Sequence, residues 1–227
     1  RYDSDYERRK GLVNGVQVWL VGQLLSATQT LDYLEQAINE TKFLPELASF
    51  ECFSCHQNIN KPQSQKNSSF DFGTPSVYGA NLLMIKAIVS TFPNRDSGKL
   101  NQLITKLMLP VSGKQETLVL IREIRLLINQ LKIDAPYEEY RLIGPRLLKN
   151  IVKYADQELE ISYGKAEMIA MSLSSLVTSV SGQGHLENRS KILFEKSLDS
   201  MYRAVSDSLN FKEARFKRSL KTLQAKL

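Results

Sequence analysis

Cysteine, histidine and tryptophan are scarce in this chain of 227 residues, which holds two, two and one of them. With so few histidines, and with no Gly-x-Ser-x-Gly, no phosphate-binding glycine loop and no His-Glu-x-x-His, the usual hydrolytic and nucleotide-dependent centres have no residues to build on. No apolar run approaches the length of a membrane span. The best candidates, 16–25 and 82–92, are short and carry polar residues. Arg and Lys form no run interleaved with aromatics, so a phosphate-tracking, base-stacking face is missing and nucleic acid is not expected as a partner. Internal repeats and low-complexity tracts are missing too, and no stretch requires a strand. The first residue is Arg1 rather than Met, from which an upstream signal or anchor is expected.

What is there is a core-forming composition, 42% hydrophobic, with a net charge of +6. That basic excess favours acidic partners or anionic surfaces. Carboxylate pairs such as Glu138-Glu139 and Glu158 with Glu160 fall on expected helix surfaces, where they would be solvated.

The scarce residues are not scattered. Both cysteines and one histidine sit in the pentapeptide Cys52-Phe53-Ser54-Cys55-His56. For residues this rare the clustering is roughly a 1-in-10,000 coincidence, so the motif reads as chemistry. Two thiols separated by two residues can each reach a vinyl group of one porphyrin, and the next residue's imidazole then stands over the iron. Three rivals share these residues. A redox dithiol would be expected near a βαβ pattern, which the chain lacks. A zinc site from Cys52, Cys55, His56 and His185 would strain a tetrahedron whose bonds are roughly 2.0 to 2.3 Å, because Cys55 and His56 are adjacent. A local disulfide in a helical interaction protein is the third.

On this pentapeptide the sequence resembles the c-type cytochromes. The resemblance implies one haem c, thioether bonds at Cys52 and Cys55, His56 as proximal iron ligand, and a compartment outside the cytoplasm such as the periplasm. It also implies single-electron transfer with a redox partner rather than enzyme catalysis. Met108, in Lys106-Leu107-Met108-Leu109-Pro110 ahead of Gly113 and an amphipathic helix, resembles the ligand-methionine loop of class I cytochromes c, with Gly73, Pro75 and Gly79 echoing the Gly/Pro loop. That likeness covers residues 44–131. His185, the other histidine, is the second candidate for the sixth position. The ordinary alternatives are core filler for Met108 and an idle exposed turn for His185.

The rest of the chain reads as helices. Apolar residues at Val13, Val16, Leu20, Leu24, Ala27, Leu31, Leu34 and Ile38 step by three and four and predict a helix over about 5–40. Further helices are expected over 77–91, 96–109 and 115–132, the third opened by a capping box at Ser112 to Gln115. A break is expected at Gly144-Pro145, then long helices over 146–180 and from 186 to the end. The expected fold class is all-α, an elongated antiparallel bundle with a haem-bearing insertion. Its parts are a first helix (1–41), the insertion (42–112) and the remaining helices (113–227). In an up-down bundle both chain ends lie at one end, and the insertion leaves from the other, with the Gly182-Gly184 turn and His185 beside it. Long terminal helices with their ends together also suit a sensor module of a membrane-anchored parent, or a helical homodimer.

Overall fold

The computed structural model describes residues 14–40, 79–92, 97–108, 113–131, 139–158, 161–182 and 188–227. Among them the protein is an all-α helix bundle without strands: α1 (Gly15–Glu40), α2 (Ala80–Thr91), α3 (Ser97–Met108), α4 (Lys114–Asn129), α5 (Tyr140–Gln157), α6 (Tyr163–Gly182), α7 (Asn188–Ala204) and α8 (Glu213–Gln224).

The centre of the bundle is α2. Its sequence is apolar on every side, and a helix of that kind has no solvent face to offer. Leu82, Leu83, Met84, Ile85, Ala87, Ile88 and Val89 are all at most 1% exposed. Four helices enclose it, α1, α3, α5 and α6. Burying each large side chain contributes about 1.5 to 3 kcal/mol. The surrounding helices are amphipathic and turn one stripe inward. On α1 that stripe is Val16, Trp19, Leu20, Ala27, Leu31, Leu34 and Ala37.

Contacts between helices fix their directions. Let the upper end of the bundle be the one at which α1 begins. Gly15 packs on Ser179, and Gly144 lies against Val16 and Val180, so α6 finishes and α5 starts at that end. Thr30 of α1 meets Asn81 of α2, Thr91 meets Asn150, and Ser90 meets Tyr154. Hence α2 climbs while α1 and α5 descend. Arg122 pairs with Glu35 and Arg125 with Asp32, one turn further along α4 and one turn back along α1, which sets α4 climbing beside α1. All eight helices alternate down and up, the arrangement short connections favour.

The structure divides two long helices that the pattern runs together. In place of one helix over 146–180, α5 ends at Gln157 and α6 begins at Tyr163. Ser162 marks the new start, its Oγ accepting from the Lys165 backbone N–H at 3.3 Å. The last segment is likewise two helices. Asp207 stops the chain between them by accepting from the Leu209 and Asn210 backbones and from Asn210 Nδ2. Conversely, Gly144-Pro145 does not break the helix. Pro145 lies inside α5 near its start, where only one ladder bond is lost. A Cβ on Gly144 would stand 2.6 Å from Val180 Cγ2 and 3.2 Å from Val16 Cγ2, so the glycine permits three helices to meet there. The helix over 115–132 is found as α4, preceded by Gly113 without a side-chain cap.

Two outcomes follow. Ile85→Ala leaves a cavity in the enclosed helix and lowers the unfolding free energy by about 2 to 5 kcal/mol. Val18→Ala, at an exposed position on α1, changes it by about 0.5 kcal/mol or less, and urea titration compares the two. Glu35 is held below its ordinary carboxylate value chiefly by its hydrogen bond from Arg125, with Arg122 assisting against partial desolvation. A carboxyl depressed in the folded state stabilises above its unfolded pKa of 4.5 and loses that contribution as pH falls through the folded value. The urea midpoint of the native chain therefore drops further between pH 7 and pH 3 than that of Glu35→Gln.

Candidate functional site

Cys52, Cys55, His56 and His185 lie outside the described residues, and Met108 lies within them. The described helices still fix where each candidate enters and leaves the bundle. Glu40 ends α1 at the lower end, and Gly79 precedes α2 at the same end, so the chain leaves for the pentapeptide and returns from it there. α1 is 26 residues long, about 39 Å at 1.5 Å per residue. Met108, the last residue of α3, is also at the lower end, half-buried at the edge of the core. Its thioether lies against the Gly79 backbone, since a Cβ built there would be 2.6 Å from Met108 Cε and 3.0 Å from Sδ. A methionine held this way is a packing residue and also a sulfur donor beside the point where the pentapeptide segment rejoins the bundle.

His185 has different surroundings. The helices that flank it, α6 ending at Gly182 and α7 starting at Asn188, meet at the upper end, where Gly15 packs on Ser179. The expectation that the Gly182-Gly184 turn shares an end with the segment after α1 is therefore corrected. The cause is the division of 146–180 into α5 and α6, which adds one crossing of the bundle before the chain reaches Gly182, whereas α2 and α3 together add two and leave the end unchanged.

The lower end carries a second constellation, which the sequence did not disclose. Glu158, directly after α5, is 14% exposed at its side chain and meets two lysines. Lys165 Nζ of α6 lies 2.7 Å from Oε2, and Lys86 Nζ of the enclosed α2 lies 3.7 Å from Oε1. The Glu158 carbonyl accepts from Lys217 Nζ at 3.1 Å, and Lys217 also pairs with Glu213 at 2.8 Å. Glu213 Oε1 in turn accepts from the Ile161 backbone at 2.9 Å. One short connection thus ties α2, α5, α6 and α8 together. Glu158 is not a solvated surface carboxylate, because α5 stops there and the chain turns its side chain inward. Ser162 followed by Tyr163-Gly164 was the available signal for that stop.

Beside this cluster Tyr163 donates to the Val205 carbonyl at 3.1 Å and meets Phe211 edge-to-face, with centroids 5.8 Å apart. Burial pushes its phenol above the ordinary value, with the Glu167 carboxylate adding to the effect. A polar seam runs along α2 above it. Tyr154 OH lies 2.6 Å from Ser90 Oγ and accepts from Asn101 Nδ2 at 2.8 Å, while Asn150 Nδ2 donates to Thr91 Oγ1 at 2.9 Å. Asn81 Nδ2 donates to Thr30 Oγ1 at 3.0 Å, and its Oδ1 is left without a partner. Among the described residues no three His, Cys, Asp or Glu side chains gather as a metal-binding group, and no helix is long and apolar enough to cross a membrane.

No family model matches the chain, and no curated protein or solved structure matches it.

The Glu158 cluster has a direct test. Glu158→Gln removes the charge opposite two enclosed ammonium groups and destabilises by about 3 to 5 kcal/mol. Adding Lys86→Met recovers part of that loss, because the stranded charge in α2 is then gone. Urea titration of the single and double variants measures both.

Proposed function

We propose that the chain carries one covalently attached haem of the c type and passes single electrons in an extracytoplasmic compartment. The observation that carries this reading is the pentapeptide Cys52 to His56, which concentrates both thiols and one of two imidazoles of the whole chain. As a donor set it fits the group. Cys52 and Cys55 would hold the porphyrin through thioether bonds to its two vinyl groups, and the imidazole of His56 would be a donor to its iron. The haem supplies a reversible one-electron couple when bound, and the protein's part is to hold it, shield it and set its second axial donor.

Met108 is the better-supported residue for that second position. It shares the lower end with Glu40 and Gly79, the flanks of the pentapeptide segment, whereas the flanks of His185 are at the upper end. The Met108 thioether would be a sulfur donor to the iron, a ligand type that raises the potential, as suits an electron carrier. The net charge of +6 supports an acidic redox partner.

A second reading is a haem-based redox or gas sensor within a membrane-anchored parent or a helical homodimer. Val18, Val21 and Leu25, exposed along one stripe of α1, favour it, since they leave that helix an apolar face for association. The two readings differ in whether the sixth position is open.

After maturation with the haem-attachment machinery, the native chain shows a covalent haem in its pyridine haemochrome spectrum, and Cys52→Ser/Cys55→Ser does not. In the carrier the ferrous native protein and His185→Ala do not bind carbon monoxide, whereas Met108→Ala does. Carbon monoxide binding by the native protein would transfer the argument to the sensor. Absence of covalent haem would end both.

A further inference from the structure

Helices α7 and α8 pack antiparallel, and between them lies a groove of about 440 Å³ lined by Lys196, Ser197, Ser200, Arg215, Arg218, Ser219, Thr222 and Lys226. Four of these side chains are cationic, the other four carry hydroxyls, and none is acidic. On α8 the contributing positions recur at three- and four-residue steps, so they form one face of the helix. The acidic residue of α8, Glu213, is turned away to the Ile161 backbone and Lys217. On α7, Glu195 and Asp199 are exposed and do not line the groove. Across its floor Lys226 Nζ donates to the buried Ser197 Oγ at 2.8 Å, which ties the end of the chain to α7 and holds the two walls together.

Among the described residues, Lys196, Arg215 and Arg218 form no ion pair. Three cations gathered in one concave surface without a carboxylate repel one another, and a bound anion would relieve this. The chemistry of the lining defines that anion. Guanidinium groups present paired N–H donors that match two oxygens of one tetrahedral oxyanion, and lysine adds a point charge. The volume falls in the range of small-molecule sites, about 300 to 1,000 Å³, and an acidic protein surface would more readily seat on a flat or convex basic patch than in a groove of this size.

We propose that the α7/α8 groove binds a small ligand carrying two or more phosphate-type oxyanions, of the pyrophosphate or phosphate-ester class. The proposal is independent of the haem reading, because every lining residue lies in 196–226.

Calorimetric titration of the full chain with inorganic pyrophosphate at low ionic strength tests it, with inorganic phosphate and poly-glutamate in parallel. The expected result is saturable one-site binding of pyrophosphate, tighter than inorganic phosphate. Replacing both exposed guanidinium groups, Arg215→Gln/Arg218→Gln, weakens it by about tenfold or more. Lys221→Gln, which removes one exposed charge of α8 outside the groove, changes it by less than about twofold. Circular dichroism confirms that the variants keep their helix content. No saturable binding overturns the proposal. So does an equal loss in Lys221→Gln, which would mean a diffuse field, and so does binding of poly-glutamate alone, which would make the groove a docking face for acidic protein.

Discussion

A helix that is apolar all round can exist in water only if other helices cover it, and the fold is the means by which α2 is covered. Four neighbours are needed to enclose it, and the alternating course of the chain supplies them. The polar groups on α2 then decide how it is seated. Asn81 reaches Thr30 of α1, Lys86 reaches Glu158 after α5, and Ser90 and Thr91 reach Tyr154 and Asn150. Sliding α2 by one turn or rotating it would bury these groups without partners, at about 1 to 3 kcal/mol each and more for the lysine. Apolar burial supplies the drive, and the polar seam fixes the register.

Glu158 occupies the point where these demands meet. A carboxylate placed between two ammonium groups has a large unpaired cost and a small net contribution. Its role is to make one arrangement of α2, α5, α6 and α8 the acceptable one. The turn built on Asp207 then brings α8 back along α7, where the basic groove forms.

The class of fold and most helix positions were legible in the sequence because amphipathic helices declare themselves by spacing. Val16, Leu20, Ala27, Leu31 and Leu34 of α1 are buried as their stripe requires. The centrality of α2 was not legible, since periodicity says nothing when every face is apolar; the run from Leu82 to Val89 marks a buried helix without saying where it is buried. Two helix ends were hidden because single polar side chains, Ser162 and Asp207, make them, and such residues are common elsewhere. Pro145 misled in the other direction, as its effect depends on how near it stands to a helix start. The Glu158 cluster could not be foreseen from spacing, because its members come from four elements. Of the candidate haem residues, Met108 acquires a place beside Gly79, while Cys52, Cys55, His56 and His185 remain statements of sequence, the last with its flanking helices at the far end from Gly79.

What these observations say together is that a segment bearing two thiols and an imidazole leaves and rejoins the bundle at one end, next to a methionine sulfur. The central claim is that the segment carries a haem. Intact-mass spectrometry of the chain matured with haem-attachment machinery, followed by sequencing of the peptide that spans Cys52 to His56, tests it most directly. The account predicts a gain of one haem per chain located on that peptide at both cysteines. A chain of unmodified mass, or one lighter by two hydrogens through a Cys52–Cys55 disulfide, would contradict it.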